Sequence, residues 1–410
     1  MSHAERTTDS ALSTWLILLM ATTTGLVVAS NYYAQPLLHT ISDQLGLSYA
    51  KAGIIVTVAQ ASYALGLILL VPLGDLVERR RLIVTMMLLA TAGLLVSASA
   101  GSLAALLIGT AITGAFSVVA QVLVPFAATL SPVAQRGKVV GTVMSGLLMG
   151  ILLARTVAGA LSSLGDWHTV YWVAAALMLL NTLALWRALP RYAQTTRMHY
   201  GQLIGSVFAQ FARYPLHRQR SLLGCLIFAM FSVLWTSLAF LLSSEPWSYS
   251  DATIGLFGLA GARHAGVLTD RGHGARLTVL GVVALLVSWV LLGLGGYSLI
   301  ALVAGIVLLD LALQAVHITN MNMIFNLDEA ARNRLNSGYM FLYFVGGALG
   351  SLGSAAAYQQ AGWLGVCLLG GGLGVLAVGY GVWITRFSPR SQTPPGSETY
   401  AGSPVGDPPR

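Results

Sequence analysis

Long apolar runs separated by short polar segments recur from one end of the chain to the other. Each run is close to the roughly 20 residues that an α-helix needs to cross the hydrocarbon core of a membrane. The pattern therefore predicts an all-α membrane protein with twelve transmembrane helices. The twelve runs lie near residues 12–35, 52–73, 82–100, 103–127, 139–163, 168–189, 220–243, 252–269, 277–296, 299–325, 335–358 and 363–385.

The composition agrees with this class of protein. Of the 410 residues, 56% are hydrophobic and only 9% are charged, whereas a soluble domain carries about 25% charged residues. Cys225 and Cys367 both fall in apolar runs, so no disulfide framework is predicted. The surroundings are expected to be a lipid bilayer.

The basic residues are distributed unevenly between the loops. All but three of the 22 lysines and arginines lie at the chain termini or at the loops that follow even-numbered helices; the exceptions are Lys51, Arg155 and Arg263. Because basic residues mark the cytoplasmic side, both termini are predicted to be cytoplasmic. This asymmetry explains the net charge of +8 without a nucleic-acid partner. We expect a monomeric, multi-pass protein of the bacterial inner membrane.

The two halves of the sequence resemble each other. "VAQRGKVVGTVMSGLLMGILLA" (133–154) aligns with "EAARNRLNSGYMFLYFVGGALG" (329–350) at an offset of 196 residues. A duplicated helical unit with a site near the midplane is a transporter architecture. The predicted organisation is a cytoplasmic N-terminus (1–11), a first six-helix bundle (12–189), a cytoplasmic central loop (190–219), a second six-helix bundle (220–385) and a disordered cytoplasmic tail (386–410).

Charged motifs follow the second span and its repeat mate. "PLGDLVERRR" contains Asp75, Arg79 and Arg80, and "GVLTDRG" contains Asp270 and Arg271. These acids could accept N–H groups of a helix N-terminus, or pair with the arginines in a cytoplasmic gate. The paired motifs resemble the signature of the Major Facilitator Superfamily. "NYYAQPLL", "QVLVPFAATL" and "ARNRLNSGYM" are similar to its predicted arabinose-efflux-type sugar and drug efflux permeases.

This resemblance implies two pseudo-symmetric six-helix bundles that transport a solute by alternating access. It also implies that spans 1, 4, 7 and 10 line a central cavity. The sequence departs from the family at Ile151, where the antiporter-associated motif of span 5 has proline, and at Thr110, where span 4 often has arginine.

One carboxylate lies deep inside a predicted span. Asp310 is eleven residues, or roughly 17 Å, from the start of span 10, and Gln314 and His317 share its helical face. An ionised carboxylate there costs at least about 2.5–3.5 kcal/mol. We therefore expect Asp310 and His317 to form a proton-coupling site; the alternative is a static buried network that holds helices together.

Other polar residues in the spans are candidates for the cavity. Arg155 is an intramembrane charge that could be the counter-ion of Asp310, or could instead bind backbone carbonyl groups. Tyrosines at the end of span 1 could also be interface anchors. The expected cavity residues are Tyr32, Tyr33, Gln35, Gln121, Trp235, Gln314 and Asn320.

The sequence thus predicts a proton-coupled exporter of drug- or sugar-like small molecules. The single deep acid favours cationic or neutral cargo. The alternatives are proton-linked uptake of a sugar or metabolite, or an inactive homologue, because span 8 is five residues shorter than its repeat mate. No nucleotide-binding loop is present, and the spans hold no metal-ligand cluster or catalytic constellation. We therefore expect neither an enzyme nor a bound metal or cofactor.

Overall fold

The computed structural model describes residues 13–192, 199–259, 274–328 and 331–387, and all regular secondary structure in these ranges is helical. The α-helices are α1 (Thr14–Ala29), α2 (Leu38–Gln44), α3 (Tyr49–Leu69), α4 (Arg79–Ala98), α5 (Leu103–Phe116), α6 (Val119–Leu130), α7 (Arg136–Ser162), α8 (Trp167–Ala188), α9 (Tyr200–Arg213), α10 (Pro215–Ser243), α11 (Asp251–Leu256), α12 (Gly274–Gly293), α13 (Leu299–Phe325) and α14 (Arg332–Phe387). Short 3₁₀ helices include Gln35–Leu37, Val71–Asp75 and Phe257–Leu259.

The long helices follow the predicted spans closely. Within the described ranges, nine helical segments are long and apolar enough to cross a membrane, and α1 is a shorter apolar helix. The helix α13 has the bounds predicted for span 10. The 56-residue α14 is interrupted at Ala361 and Gly362, between the predicted spans 11 and 12. Gly362 has a φ of +59°, which glycine adopts without the steric cost of a Cβ atom.

The segment predicted as the central loop contains helical residues. Within residues 190–219 the structure contains α9, and α10 begins at Pro215, since proline suits the first turn of a helix. Arg220, the first residue predicted for span 7, lies inside α10 and is 2% exposed. The predicted continuation of span 8 beyond Leu259, and the residues of both chain ends up to 12 and from 388, lie outside the described residues.

Glycines allow close helix packing in each half of the chain. Gly146 and Gly150 of α7 lie against the backbone of α1, and Gly346 and Gly350 of α14 lie against the backbone of α10. A Cβ atom at any of the four would collide with backbone atoms of the neighbouring helix. Small residues bring membrane helices together in this way, and the same packing occurs in both repeats.

The first half of the chain (α1–α8) meets the second half (α10–α14) along a seam where α3 packs against α14 and α7 against α11. At one end of the seam, the Tyr49 ring lies 4.7 Å from that of Phe240 and 5.2 Å from that of Tyr358. Beside them, the Thr40 hydroxyl donates to Asp251 across the seam at 2.7 Å. We call this end the closed end.

The opposite end, where α4, α7 and α14 begin with arginines, is called the arginine-rich end. A cavity lies there between the halves, and its lining includes Leu67, Gln121 and Ser337. The helix α9 also lines this cavity through Leu203 and Val207. It contacts both halves: the Tyr200 hydroxyl donates to the Leu69 carbonyl at 2.5 Å, and the ring of Phe208 packs against that of Phe341.

Candidate functional site

Arg155 lies in the seam, seven residues before the end of α7 at Ser162 and hence about two turns from the closed end. Its side chain is 4% exposed. Its Nε donates to Oε1 of Gln35 at 2.7 Å, which fixes the direction of the guanidinium. Gln35 begins the 3₁₀ helix that follows α1 and is 1% exposed.

Aromatic rings surround the Arg155 guanidinium. Its Cζ atom lies 3.8 Å from the ring centre of Trp235, 5.1 Å from that of Tyr32 and 5.4 Å from that of Phe231. A desolvated cation over an aromatic face is stabilised by about 2 kcal/mol. Because Trp235 and Phe231 belong to α10, this contact joins the first half of the chain to the second.

Asp310 faces the same cluster from α13. Its side chain is half-buried, it interacts electrostatically with Arg155, and it lies near the Trp235 indole. Among the described residues, no ion pair within 4.0 Å joins Asp310 to Arg155. The Oδ1 atom of Asp310 is buried and accepts no hydrogen bond from a described residue. The structure therefore brings the two charges into one site without direct contact.

His317 lies further along α13, toward the arginine-rich end. Its Nδ1 is 2.9 Å from the Tyr339 hydroxyl, and its ring centre is 4.8 Å from that of Tyr343. Tyr343 in turn interacts electrostatically with Asp310. Gln314, between Asp310 and His317 in sequence, is half-buried. Asp310 and His317, on the predicted face of α13, thus share Tyr343 as a neighbour.

The other predicted cavity residues lie in different surroundings. Tyr32 contacts Arg155, whereas Tyr33 is buried beside Tyr171 in the first half. Gln121 Nε2 donates to the Tyr63 hydroxyl at 3.4 Å at the cavity of the arginine-rich end.

Asn320 is fully buried inside the second half of the chain. Its Oδ1 accepts from Arg220 at 3.3 Å, and Arg220 also donates to Thr278 at 2.7 Å. Asn320 therefore contacts a buried arginine rather than the Arg155 cluster, and a cavity role for it stays a prediction.

The sequence model of the Major Facilitator Superfamily matches residues 20–327. The chain belongs to this family. The transporter YgaY of Escherichia coli O157:H7 is 57% identical over 365 residues, which cover 88% of this chain and 93% of the relative. The probable transporter SCO4007 of Streptomyces coelicolor is 34% identical, covering 86% of this chain and 84% of the relative.

Solved structures agree with this assignment. A bacterial homologue of the human lysosomal transporter Spinster, crystallised in an inward-facing and occupied conformation, matches with a TM-score of 0.75 at 14% identity. The match covers 92% of this chain and 98% of the homologue. The chain is therefore a multi-pass membrane transporter with the major facilitator fold, and a role in transport rather than catalysis follows from its family.

The charged family motif after α3 forms contacts mainly within the first half. Arg79 pairs with Asp75 at 3.8 Å and donates to Thr129 at 3.1 Å. Asp75 is also within electrostatic range of Arg334 across the seam. A cytoplasmic gate at Asp75 and Arg79 stays a prediction, while Asp270 and Arg271 lie outside the described residues.

Glu78, where the family motif usually has glycine, has a structural role here. It is the N-cap of α4, and its carboxylate accepts the backbone N–H groups of Arg80 and Arg81. It also accepts the N–H of Tyr192 at 3.1 Å. Partial burial raises the pKa of Glu78, but these three donors outweigh burial and hold the pKa below its ordinary value. Arg80 contributes to this cap through its backbone.

Several residues of the site were not found from the sequence. Phe231, Tyr339 and Tyr343 belong to apolar spans, where aromatic residues are common as packing. A weak signal existed: Phe231 precedes Trp235 by one helical turn, and Tyr339 precedes Tyr343 in the same way. Such spacing places each pair on one helical face, but it does not identify the partner of that face.

Proposed function

We propose that this transporter is a proton-coupled exporter of small molecules that works by alternating access, with Asp310 as the residue that carries the proton. The observation that supports this most directly is the position of Asp310 in the seam. It faces Arg155 from the other half of the chain without forming an ion pair. Whether a carboxylate is protonated depends on its distance from a nearby cation and on its exposure to water. Both quantities change when the two halves of a transporter rock against each other.

Support for alternating access comes from the two ends of the seam. The closed end is held by the Tyr49, Phe240 and Tyr358 rings and by Asp251, whereas a cavity lies between the halves at the arginine-rich end. By the positive-inside rule, we assign the arginine-rich end to the cytoplasm. Loading from this side would begin an export cycle in the bacterial inner membrane.

The proposal also includes the two moving units. Residues 12–189 and 220–385 would each move as one bundle of a monomer, with both chain termini in the cytoplasm. Asp75 and Arg79, two residues of the gate expected from the sequence, would approach Arg334 when the arginine-rich end closes.

The test is efflux of preloaded small solutes from energised cells, with and without a protonophore; the solutes include a cationic dye, sugars and amino acids. The variants are Asp310→Asn and, as a matched control, Glu245→Gln, which changes an exposed acid in the loop after α10. We expect the protonophore and Asp310→Asn each to abolish efflux, and Glu245→Gln to leave it unchanged.

Three results would contradict the proposal. Protonophore-sensitive efflux that survives Asp310→Asn would make Asp310 a structural residue. Proton-driven accumulation of solute inside the cells would favour the alternative of uptake. Absence of any transport by well-inserted protein would favour an inactive homologue, whose shortened span 8 falls largely on residues 260–273, outside the described residues.

A further inference from the structure

Two opposite charges face each other across the seam and are held apart. In a medium of low dielectric constant such charges attract strongly, yet Arg155 and Asp310 do not come within 4.0 Å. Arg155 cannot simply swing across, because Gln35 binds its Nε at 2.7 Å and Trp235 lies 3.8 Å beneath its guanidinium. The separation is therefore built into the packing.

Each side of this gap has unused hydrogen-bonding capacity. On the Arg155 side, Nη2 of Arg155 and Nε2 of Gln35 are buried donors without a partner among the described residues. On the other side, Oδ1 of Asp310 is a buried acceptor without one. A buried polar group left unpaired costs about 1–3 kcal/mol, and native proteins contain few of them. The site thus has two unpaired buried donors in the first half of the chain and one unpaired buried acceptor in the second half.

We propose that this site binds a zwitterionic solute of the α-amino acid class. The solute carboxylate binds Nη2 of Arg155 and Nε2 of Gln35, and the solute ammonium binds Asp310. Tyr32 and Trp235 form aromatic walls beside it. This inference rests on the proposed transport function, and it names the cargo.

Charge balance separates a zwitterion from the other classes of cargo. A cation would neutralise Asp310 and leave Arg155 without a counter-charge, and an anion would do the reverse. Leaving one partner of a buried pair uncompensated is strongly unfavourable. A neutral sugar would match neither charge. Only a solute with both charges satisfies the two sides together.

The experiment measures thermal unfolding of the purified full-length protein in detergent with each of the twenty L-amino acids. The amino acid that raises the melting temperature most is then compared with its methyl ester, which is only a cation, and its N-acetyl derivative, which is only an anion. We expect both derivatives to bind at least about 30-fold more weakly than the parent, because each leaves one buried charge of the protein without its partner.

Two variants locate the charges. In the Asp310→Asn protein, the parent amino acid should bind no more tightly than its N-acetyl derivative. In the Arg155→Gln protein, the parent should bind no more tightly than its methyl ester. The control Glu245→Gln should leave the affinity of the parent relative to each derivative unchanged. Because the derivatives are tested first on the unaltered protein, misfolding of a variant cannot hide the answer.

Three results would overturn the inference. These are a methyl ester that binds as tightly as the parent, an N-acetyl derivative that binds as tightly as the parent, and no stabilisation by any of the twenty amino acids, whether or not arabinose stabilises the protein. Proton movement is measured separately, with a pH-sensitive dye inside proteoliposomes. Amino acid binding without proton-driven flux would refute the proposed proton coupling alone. Proton-driven efflux of the cationic dye without amino acid binding would refute the amino acid inference alone.

Discussion

A close contact between the two halves offers a direct way to change the conformational equilibrium. Gly53 of α3 lies against Ala355 of α14 near the closed end, where a Cβ on Gly53 would collide with the Ala355 methyl group. Two carbon atoms need about 3.5–4.0 Å, so the helices would have to separate by roughly 1–2 Å. Gly53→Ala should therefore oppose closure at this end.

The magnitude follows from the difference between two effects of the new methyl group. Overpacking of a close contact costs about 1–3 kcal/mol, and this cost applies only while the end is closed. The gain in helix propensity, about 1 kcal/mol, applies in both conformations and cancels. The ratio of open to closed molecules should therefore rise by roughly 5-fold to 150-fold.

Ser351 reports on this ratio. It is fully buried on α14, with its hydroxyl 2.9 Å from that of Thr57 across the seam. In a protein with Cys225 and Cys367 replaced by alanine, Ser351→Cys reacts with a membrane-impermeant maleimide only when the closed end opens. The labelling rate should rise by the factor given above when Gly53→Ala is added.

The matched control is Gly379→Ala on α14. No atom lies within 4 Å of a Cβ built at Gly379, so this change adds the same methyl group without a collision. It should leave the labelling rate unchanged. Equal labelling rates in the Gly53→Ala and Gly379→Ala proteins, both correctly inserted, would refute the argument that this contact holds the end closed.

Three further predictions concern stability, measured as melting temperature in detergent. Arg155→Gln should destabilise the protein, and adding Asp310→Asn should recover about 1–3 kcal/mol; strictly additive effects would contradict an interaction between the two charges. Glu78→Ala should cost about 1 kcal/mol at neutral pH. Because the folded-state pKa of Glu78 is lowered, its contribution is present above the ordinary value of about 4.3, and the difference from wild type should vanish in acid rather than in base. Tyr200→Phe removes the hydrogen bond from α9 to the Leu69 carbonyl and should cost about 0.5–1.5 kcal/mol; an unchanged melting temperature would mean that water replaces this bond.

Hydropathy predicted the helices well because crossing a membrane imposes a length and an apolar character on each one. Span 10 and α13 share the same bounds, 299–325. The same reasoning missed α9, because an amphipathic helix lacks a continuous apolar run. It placed Arg220 at the start of span 7 but could not show that the side chain is buried.

The site was only partly predictable for a different reason. A charge inside an apolar run is costly wherever it lies, so Arg155 and Asp310 could be recognised from the sequence alone. Their partners could not, because those contacts join residues far apart in the chain: Arg155 and Gln35 are 120 positions apart. Helical spacing gave the shared face of Asp310 and His317 but not Tyr343, which contacts the His317 ring from another helix and interacts electrostatically with Asp310.

The division of the site between the two halves has an energetic consequence. Arg155 and Gln35 belong to the first half, while Asp310 and Trp235 belong to the second, so opening at the closed end would draw the guanidinium away from its aromatic partner. A solute shifts an equilibrium only by the difference between its affinities for the two conformations. A solute that contacts one half alone has little such difference, whereas one that spans Arg155 and Asp310 binds well only when the halves are together. Spanning the two charges is therefore what would allow cargo to favour the conformation in which the halves are together.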